Sequence, residues 1–418
     1  MYHISIEVLM LTKSIIILIV LLSTAYRLVL NIVEYRSAGN PTPENVSDVF
    51  DAETYQKWQR YSRERCVLGL VFTAISCLCS VVLLATNAYA AFASLFPADS
   101  WFLQLFSVIL LEVMVGLIPT VVRSYISNMV IEQKYGFNRT SVKTFVIDRI
   151  RSLILEFALS LLLAMLLFTT HTLLGNWIFI AFAGFMLLFS LFISFMYPIF
   201  SRIGNKFTPL EDGELKDRLM ELLTKHGYKV KAIEIMDASR RTTKLNAYFT
   251  GFGKMKTIVL YDNLVNSMTP DEICAVFAHE LGHGLHKDVP KMQVMNTLNF
   301  LLMGLLVWGA VSAPILHTDF GFAGVNYGFA YLLVGAVLEL IQPLTGLMIH
   351  AYSRRAEYRA DKQAVTEGYG PAMITALKKL ARENFAHLAP SRLNVVLEYS
   401  HPPLSERIAA VEKEMEKE

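Results

Sequence analysis

Charge of either sign is scarce in this 418-residue sequence. Asp, Glu, Lys and Arg together make up 18% of the residues, whereas hydrophobic residues make up 54%. The formal net charge is only +2, so the composition indicates no basic surface and no nucleic-acid partner. A soluble protein of this length is rarely so apolar, and the balance therefore favours a membrane protein.

Cysteine is also rare, and its placement excludes two kinds of structure. Cys66, Cys77, Cys79 and Cys274 lie in apolar segments or in segments predicted to be cytoplasmic, where disulfides seldom form. Their spacing matches no cysteine-based metal site. We therefore expect neither a disulfide framework nor a cysteine-bound metal.

Long hydrophobic runs, in contrast, are abundant. Seven are long enough to cross a hydrocarbon layer of about 30 Å. The predicted spans are 8–31, 66–90, 101–127, 152–174, 177–199, 293–316 and 327–350. No small-residue cleavage site follows the first run, so it is predicted to be a membrane span and not a cleavable signal peptide.

Lys and Arg are absent from three connecting segments, 91–100, 175–176 and 317–326, and cluster in the alternate ones, 33–65 and 128–151. Cytoplasmic loops carry the excess of these residues. The N-terminus is therefore predicted to lie outside, and the polar insertion and the C-terminus in the cytoplasm.

The predicted organisation has four parts. They are a five-span membrane block at 1–200 with cytoplasmic loops at 33–65 and 128–151, a soluble insertion at 201–292, two further spans at 293–352, and a cytoplasmic helix and tail at 353–418. Within the insertion, residues 208–225 are predicted to form an amphipathic helix. Strands are predicted at Ala232–Met236, Asn246–Thr250 and Thr257–Tyr261, with a hairpin turn at Gly251–Gly253.

The insertion ends with the sequence His279-Glu280-Leu281-Gly282-His283. On a helix, His279 and His283 are four residues apart and share one face, so both imidazoles can reach a single metal ion. Glu280 is placed to take a proton from a metal-bound water. Thr269-Pro270-Asp271-Glu272 upstream is typical of a capped helix start.

Catalytic zinc normally has three protein ligands and an open position. The metzincin pattern requires glycine and histidine three and six residues after the second motif histidine, but this chain has His286 and Val289. The gluzincin pattern instead takes a glutamate from a second helix. Glu357 and Asp361, four residues apart past the last span, are predicted to be the third ligand and the acceptor that orients a ligand histidine.

His401 and Arg407, in the segment that follows, have two interpretations. They could be positive donors that stabilise the oxyanion of a cleavage transition state. They could equally be a turn histidine and a helix arginine held in a salt bridge. The sequence does not decide between these interpretations, nor which of the two residues would stabilise the oxyanion more.

Together these segments resemble the type I CAAX prenyl proteases, a family of integral-membrane zinc endopeptidases. The similarity extends over roughly residues 50–410. Besides the motif it includes Ile131–Thr140, Thr208–Gly213, Asn246–Phe249, Ser353–Tyr358 and Ser400–Leu404.

The resemblance implies a mainly helical fold, with about seven spans enclosing an intramembrane chamber and a small α+β cytoplasmic peptidase domain. It implies one Zn²⁺ held by His279, His283 and Glu357, with Glu280 as the base. It further implies that substrate backbone pairs as an added strand near Asn246, Ala247, Tyr248 and Phe249.

The substrate is expected to be a hydrophobic peptide or protein, prenylated at a CAAX sequence or not. The short region between the last two spans and a tail without a di-lysine signal are more similar to prokaryotic members, which favours a bacterial cytoplasmic membrane over the endoplasmic reticulum. The oligomeric state is left open.

Two alternatives are considered. One is a site-2-type intramembrane protease, although charged residues flank the motif helix. The other is a transporter or channel in which zinc is structural. Four protein ligands would favour the structural role, and three would favour an enzyme.

Overall fold

The computed structural model describes residues 2–202, 204–250 and 255–417. The hairpin turn predicted at Gly251–Gly253 lies outside the described residues. The N-terminal block is a series of helices. They are α1 (Tyr2–Ser37), α2 (Ala52–Ala85), α3 (Ala88–Ala93), α4 (Trp101–Tyr125), α5 (Val142–Leu174) and α6 (Ile178–Phe200). A π-helical segment, Ile126–Glu132, continues α4, and a single 3₁₀ turn, Gly175–Trp177, separates α5 from α6.

The soluble insertion contains a mixed sheet and three helices within the described residues. In chain order these are β1 (Phe207–Pro209), α7 (Glu214–Lys225), β2 (Lys229–Met236), β3 (Ala247–Thr250), β4 (Met255–Tyr261), α8 (Asp262–Ser267) and α9 (Pro270–Leu285). The strand order is β1-β2-β4-β3, with β2 and β4 parallel and the other pairs antiparallel. Strand β3 therefore lies at an edge of the sheet.

The remaining helices complete the fold. They are α10 (Asp288–Ser312), α11 (Ile315–Thr318), α12 (Tyr327–Thr366), α13 (Gly370–Glu383), α14 (Arg392–Glu398) and α15 (Leu404–Met415). Helix α12 is the longest, with 40 residues. It continues without a break from an apolar stretch into the polar segment that carries Glu357 and Asp361.

Six continuous helical segments of the described chain are long and apolar enough to cross a membrane. They are Leu11–Ser37, Ala52–Ala85, Trp101–Glu132, Val142–Phe200, Asp288–Ser312 and Tyr327–Thr366. The fourth segment contains both α5 and α6, which the sequence predicts as two spans, so the predicted count of seven is approximate. Several helices also extend beyond the predicted spans, because their polar ends continue the helical hydrogen bonding.

The insertion agrees with most of the predicted elements. The three predicted strands correspond to β2, β3 and β4. The helix predicted from residue 208 begins only at Glu214, because Thr208 and Pro209 pair with β2 as part of the short strand β1. Proline is tolerated there because β1 is an edge strand. The capped start of α9 is confirmed, with reciprocal hydrogen bonds between Thr269 and Glu272.

A cavity of about 560 Å³ lies between the long helices. Its lining is largely apolar but includes Arg27, Glu112 and Glu339. Glu112 accepts a hydrogen bond from the Tyr89 hydroxyl at 2.5 Å, and Arg27 Nη2 donates to Glu339 Oε2 at 2.7 Å. These carboxylates thus face the cavity and also have partners on neighbouring segments, which limits the cost of placing charge at this depth.

Helices α6 and α10 approach closely at Gly304. A Cβ atom there would lie 2.1 Å from the carbonyl oxygen of Phe179 on α6, whereas a Cβ at Gly309 on the same helix would meet no described atom within 4 Å. Small residues commonly allow such close packing between membrane helices.

We therefore predict that Gly304→Ala lowers the free energy of unfolding by about 1–3 kcal/mol, whereas Gly309→Ala has little effect. Thermal unfolding of the two variants in the same detergent measures the difference. Identical midpoints would show that the α6–α10 contact adapts without strain.

Candidate metal centre

Helix α9 presents His279 and His283 on adjacent turns, with ring centroids 4.9 Å apart. The apolar side of the same helix is buried in the core of the insertion. Ile273, Phe277 and Leu281 are each no more than 3% exposed and pack among residues of the sheet, α7 and α13. This packing fixes the rotation of α9, and therefore the direction in which the two imidazoles point.

Helix α12 brings Glu357 between the two histidines. Glu357 Oε2 lies 3.5 Å from Nε2 of His279, and its Oε1 lies 3.4 Å from Nε2 of His283. Ligand atoms of the three side chains lie within 4.8 Å of one another, the one such cluster found in the described part of the chain. Residues 78 positions apart in sequence thus form a compact group of two nitrogens and a carboxylate.

The close approach of α9 and α12 depends on Gly282, the fourth residue of the motif. A Cβ atom on Gly282 would lie 2.9 Å from Cα of Ala360 and 3.0 Å from Cβ of Gln363. Ala360 itself is fully buried. The two small residues therefore allow the helix backbones to approach closely enough for Glu357 to reach both histidines.

Asp361 lies one turn after Glu357 and contacts His279. Its Oδ1 is 2.8 Å from Nδ1 of His279, and Arg407 donates to both of its oxygens, at 2.6 and 2.9 Å. Burial lowers the pKa of Arg407, but Asp361 and Glu357 raise it above its usual range, so the guanidinium stays charged. A permanently charged partner keeps the buried Asp361 in its acceptor form.

His401 and Arg407 both reach the same carboxylate. His401 Nε2 lies 3.3 Å from Glu357 Oε1, and Arg407 Nη1 lies 3.3 Å from Glu357 Oε2. Their surroundings differ, since the His401 side chain is 62% exposed and that of Arg407 only 12%. The salt-bridge interpretation therefore describes the contacts of Arg407, whereas His401 borders open space beside the cluster.

A second aspartate, Asp288, contacts the other histidine and is not among the predicted site residues. Its Oδ2 lies 3.0 Å from Nδ1 of His283. It follows His283 by only five residues but belongs to the next helix, α10. Helical spacing could not have indicated this contact, because the chain turns between the two helices.

Strand β3 and Glu280 border one narrow apolar pocket. It is lined by Ala247, Tyr248, Ile258, Leu260, Ile273, Val276, Phe277 and Glu280. Of the predicted substrate segment, residues 247–249 belong to β3 and Asn246 directly precedes it. The structure thus brings the predicted base and the predicted substrate strand to the same crevice.

The donor set fits a zinc ion. Each histidine turns its Nδ1 toward an aspartate and its Nε2 toward Glu357. Tetrahedral ligands about 2.1 Å from zinc are about 3.4 Å apart, close to the two observed separations. Glu357 Oε2 is buried and has no hydrogen-bond partner among the described residues. A cation would satisfy this oxygen and the two imidazole nitrogens together.

Comparison with known proteins agrees with this arrangement. Residues 209–415 match the family described as peptidase family M48, and residues 31–202 match the CAAX prenyl protease N-terminal domain of five membrane helices. CAAX prenyl protease 1 of Saccharomyces cerevisiae is 33% identical over 70% of this chain and 69% of its own length. This chain belongs to the CAAX prenyl protease 1 family of M48 peptidases.

Other members of the family are similar over nearly the whole chain. The CAAX prenyl protease 1 homolog of Oryza sativa is 29% identical over 92% of this chain and 93% of its own length. The human homolog is 25% identical over 90% of each chain. The crystal structure of S. mikatae Ste24p superposes with a TM-score of 0.86 and 28% identity, covering 96% of this chain and 99% of that one.

Family membership confirms several predictions. The chain is an integral, multi-pass membrane protein with a mainly helical fold, and it is a metalloendopeptidase. The site-2-type protease and the transporter or channel are not favoured. The candidate His-His-Glu cluster lies in the region that matches the M48 family.

We predict that Gly282→Ala lowers peptidase activity at least about tenfold, because overpacking between α9 and α12 moves the histidines away from Glu357. Gly309→Ala on α10 is the control, since no described atom lies within 4 Å of the added Cβ. Activity and bound metal are measured on purified protein of verified folding. Wild-type activity and metal content in Gly282→Ala would show that the close approach is not needed.

Proposed function

We propose that this protein is a zinc-dependent membrane endopeptidase that cleaves near the C-terminus of CAAX-type peptides. His279, His283 and Glu357 would hold one Zn²⁺. The observation that carries the proposal is that Glu357 turns Oε2 toward Nε2 of His279 and Oε1 toward Nε2 of His283, while Nδ1 of each histidine contacts an aspartate. Three protein ligands leave a coordination position open, as catalysis requires.

When bound, zinc would acidify a water molecule and polarise the scissile carbonyl. Glu280 follows the ligand His279 directly in α9 and borders the pocket beside β3. From this position its carboxylate would accept a proton from the attacking water and later deliver it to the leaving amine nitrogen. The base and the ligands share one helix, so their relative positions are held by helix geometry.

His401 is the better placed of the two predicted oxyanion donors. It lies on the exposed side of the cluster, and its Nε2 contacts the carboxylate of Glu357, as the two motif histidines do. Arg407 has two of its three guanidinium nitrogens engaged by Asp361. We therefore assign the developing oxyanion chiefly to His401, whereas Arg407 provides the positive charge that keeps Asp361 and Glu357 in place.

Edge strand β3 would bind the substrate backbone. Its inner edge pairs with β4, so its outer edge offers unpaired backbone groups to an extended peptide. The aromatic pair formed by Tyr248 and Tyr197, with ring centroids 5.6 Å apart, joins this strand to the end of α6. The peptide would thus lie between the insertion and the membrane helices.

The substrate class follows from the relatives, which are named for CAAX prenyl protease activity. The apolar cavity between the helices offers surface for a lipid or for hydrophobic side chains. We also propose the orientation inferred from loop charge, with the N-terminus outside and the peptidase insertion in the cytoplasm. Prenylation dependence and the compartment stay predictions.

Replacement of the proposed base tests the mechanism. Glu280→Gln keeps the shape of the side chain but cannot accept a proton, so the turnover number should fall by about 10²–10⁴ while bound zinc stays stoichiometric. Glu211→Gln, at an exposed position, serves as the control for carboxylate loss. Undiminished cleavage by zinc-loaded Glu280→Gln would remove Glu280 from the mechanism.

Matched CAAX peptides with and without a farnesyl group on the cysteine test the substrate. We expect kcat/KM to be at least tenfold higher for the farnesylated peptide. Burial of an area equal to only two methylene groups of the farnesyl chain would contribute about 1.6 kcal/mol, which corresponds to more than a tenfold ratio. Equal rates would indicate that the enzyme acts as a general hydrophobic peptidase and not in CAAX processing.

A further inference from the structure

Asp288 is the first residue of α10, and it is almost completely buried, at 3% exposure. Its two oxygens have different partners. Oδ1 accepts hydrogen bonds from the Tyr352 hydroxyl and from Arg359 Nη2, each at 2.7 Å, and Oδ2 lies 3.0 Å from Nδ1 of His283. A buried aspartate thus lies between a histidine of the metal centre and two donors on α12.

The chain adopts an unfavourable backbone conformation to place Asp288 there. Lys287, between α9 and α10, has φ 56° and ψ 42°, in the left-handed region that residues with a Cβ rarely occupy. This residue reverses the chain so that Asp288 returns to His283, only five positions earlier. Such conformations persist where surrounding contacts hold them. Here Tyr352 and Arg359 hold the next residue, Asp288.

The hydrogen-bond pattern selects one tautomer of His283. Tyr352 and Arg359 are donors to Oδ1, which keeps Asp288 an ionised acceptor. Nδ1 of His283 must then carry the proton in its bond to Oδ2. In the neutral ring, Nε2 is left with the lone pair, and Nε2 is the atom that faces Glu357.

We propose that Asp288, held by Tyr352 and Arg359, is a positioning residue that fixes His283 in the metal-binding tautomer. The inference rests on the proposed function, since it assumes that His283 binds the metal. The two histidines then have equivalent partners. Asp361, paired with Arg407, contacts His279, and Asp288, paired with Arg359, contacts His283. The loss of such a partner typically weakens metal binding about 10- to 100-fold.

Two substitutions of Asp288 separate tautomer selection from simple structural support. In Asp288→Asn, the single side-chain oxygen is retained by Tyr352 and Arg359, because arginine can only donate. The amide NH₂ group then faces Nδ1 of His283 and places the ring proton on Nε2, which blocks the metal-binding atom. In Asp288→Ala the acceptor is lost but no opposing donor is introduced.

The experiment measures zinc affinity by chelator competition, the visible absorption spectrum of the Co²⁺-substituted protein, and thermal stability. We expect zinc affinity to decrease in the order wild type, Asp288→Ala, Asp288→Asn, with an altered Co²⁺ spectrum in the last. Thermal stability should follow a different order, with Asp288→Ala lowest because it leaves two donors without an acceptor. A purely structural role would instead make Asp288→Ala the weaker zinc binder.

Two further variants complete the test. Lys287→Gly tolerates the same φ and should retain wild-type affinity, which controls for changes at the turn. Tyr352→Phe removes one donor from Oδ1 and should weaken zinc binding about threefold, and it keeps the test usable if an Asp288 variant fails to fold. Wild-type affinity in Asp288→Asn overturns the proposal, and where that variant fails to fold, wild-type affinity in Tyr352→Phe does so.

His279→Ala distinguishes this inference from the proposed function. If that variant keeps bound zinc with wild-type affinity, the metal is not held at this centre and both proposals fail. If it loses zinc while Asp288→Asn binds as tightly as wild type, only the role of Asp288 is wrong.

Discussion

The contact between α9 and α12 is the interaction on which the rest of the site depends. Neither helix carries the proposed metal centre alone, since α9 would provide two histidines and the base, and α12 would provide the carboxylate. They meet where Gly282 faces Ala360, and a single added methyl group would fill the space between the backbones. Buried apolar residues hold α9 from the other side, so the separation of ligands is set by helix packing and not by flexible loops.

The charges around the site form a nearly balanced set. Glu357, Asp361 and Asp288 are each no more than 4% exposed, and unpaired they would be strongly destabilising. Arg359 compensates Asp288, and Arg407 lies against both Asp361 and Glu357, so one negative charge of the three is left for a bound cation to compensate. The two aspartates thus have fixed partners that hold them against the histidines, and the uncompensated charge is available to a metal ion.

The local part of this site could be predicted from the sequence, because helical periodicity relates residues three and four apart. His279 with His283 and Glu357 with Asp361 are such pairs, and the capping box set the start of α9 correctly. Contacts that need a chain reversal could not be predicted. Lys287 does not indicate a left-handed turn as glycine would, so the return of Asp288 to His283 had no sequence signal. Likewise β2 pairs in parallel with β4, although β3 lies between them in the sequence. Periodicity carries no information about which strands pair.

The continuity of α12 connects the membrane cavity to the metal centre. Glu339 lines the cavity and Glu357 lies in the centre, 18 residues further along one unbroken helix, which corresponds to about 27 Å. The chain between them is helical throughout, and Pro343, which cannot donate a hydrogen bond to the Glu339 carbonyl, is the point at which the helix can bend. A substrate whose peptide end lies along β3 and whose hydrophobic end enters the cavity would meet two surfaces whose separation is set by this helix. On this view the membrane helices are a support that selects substrates by the distance between the scissile bond and the apolar group, and the peptidase insertion would supply the chemistry at one end.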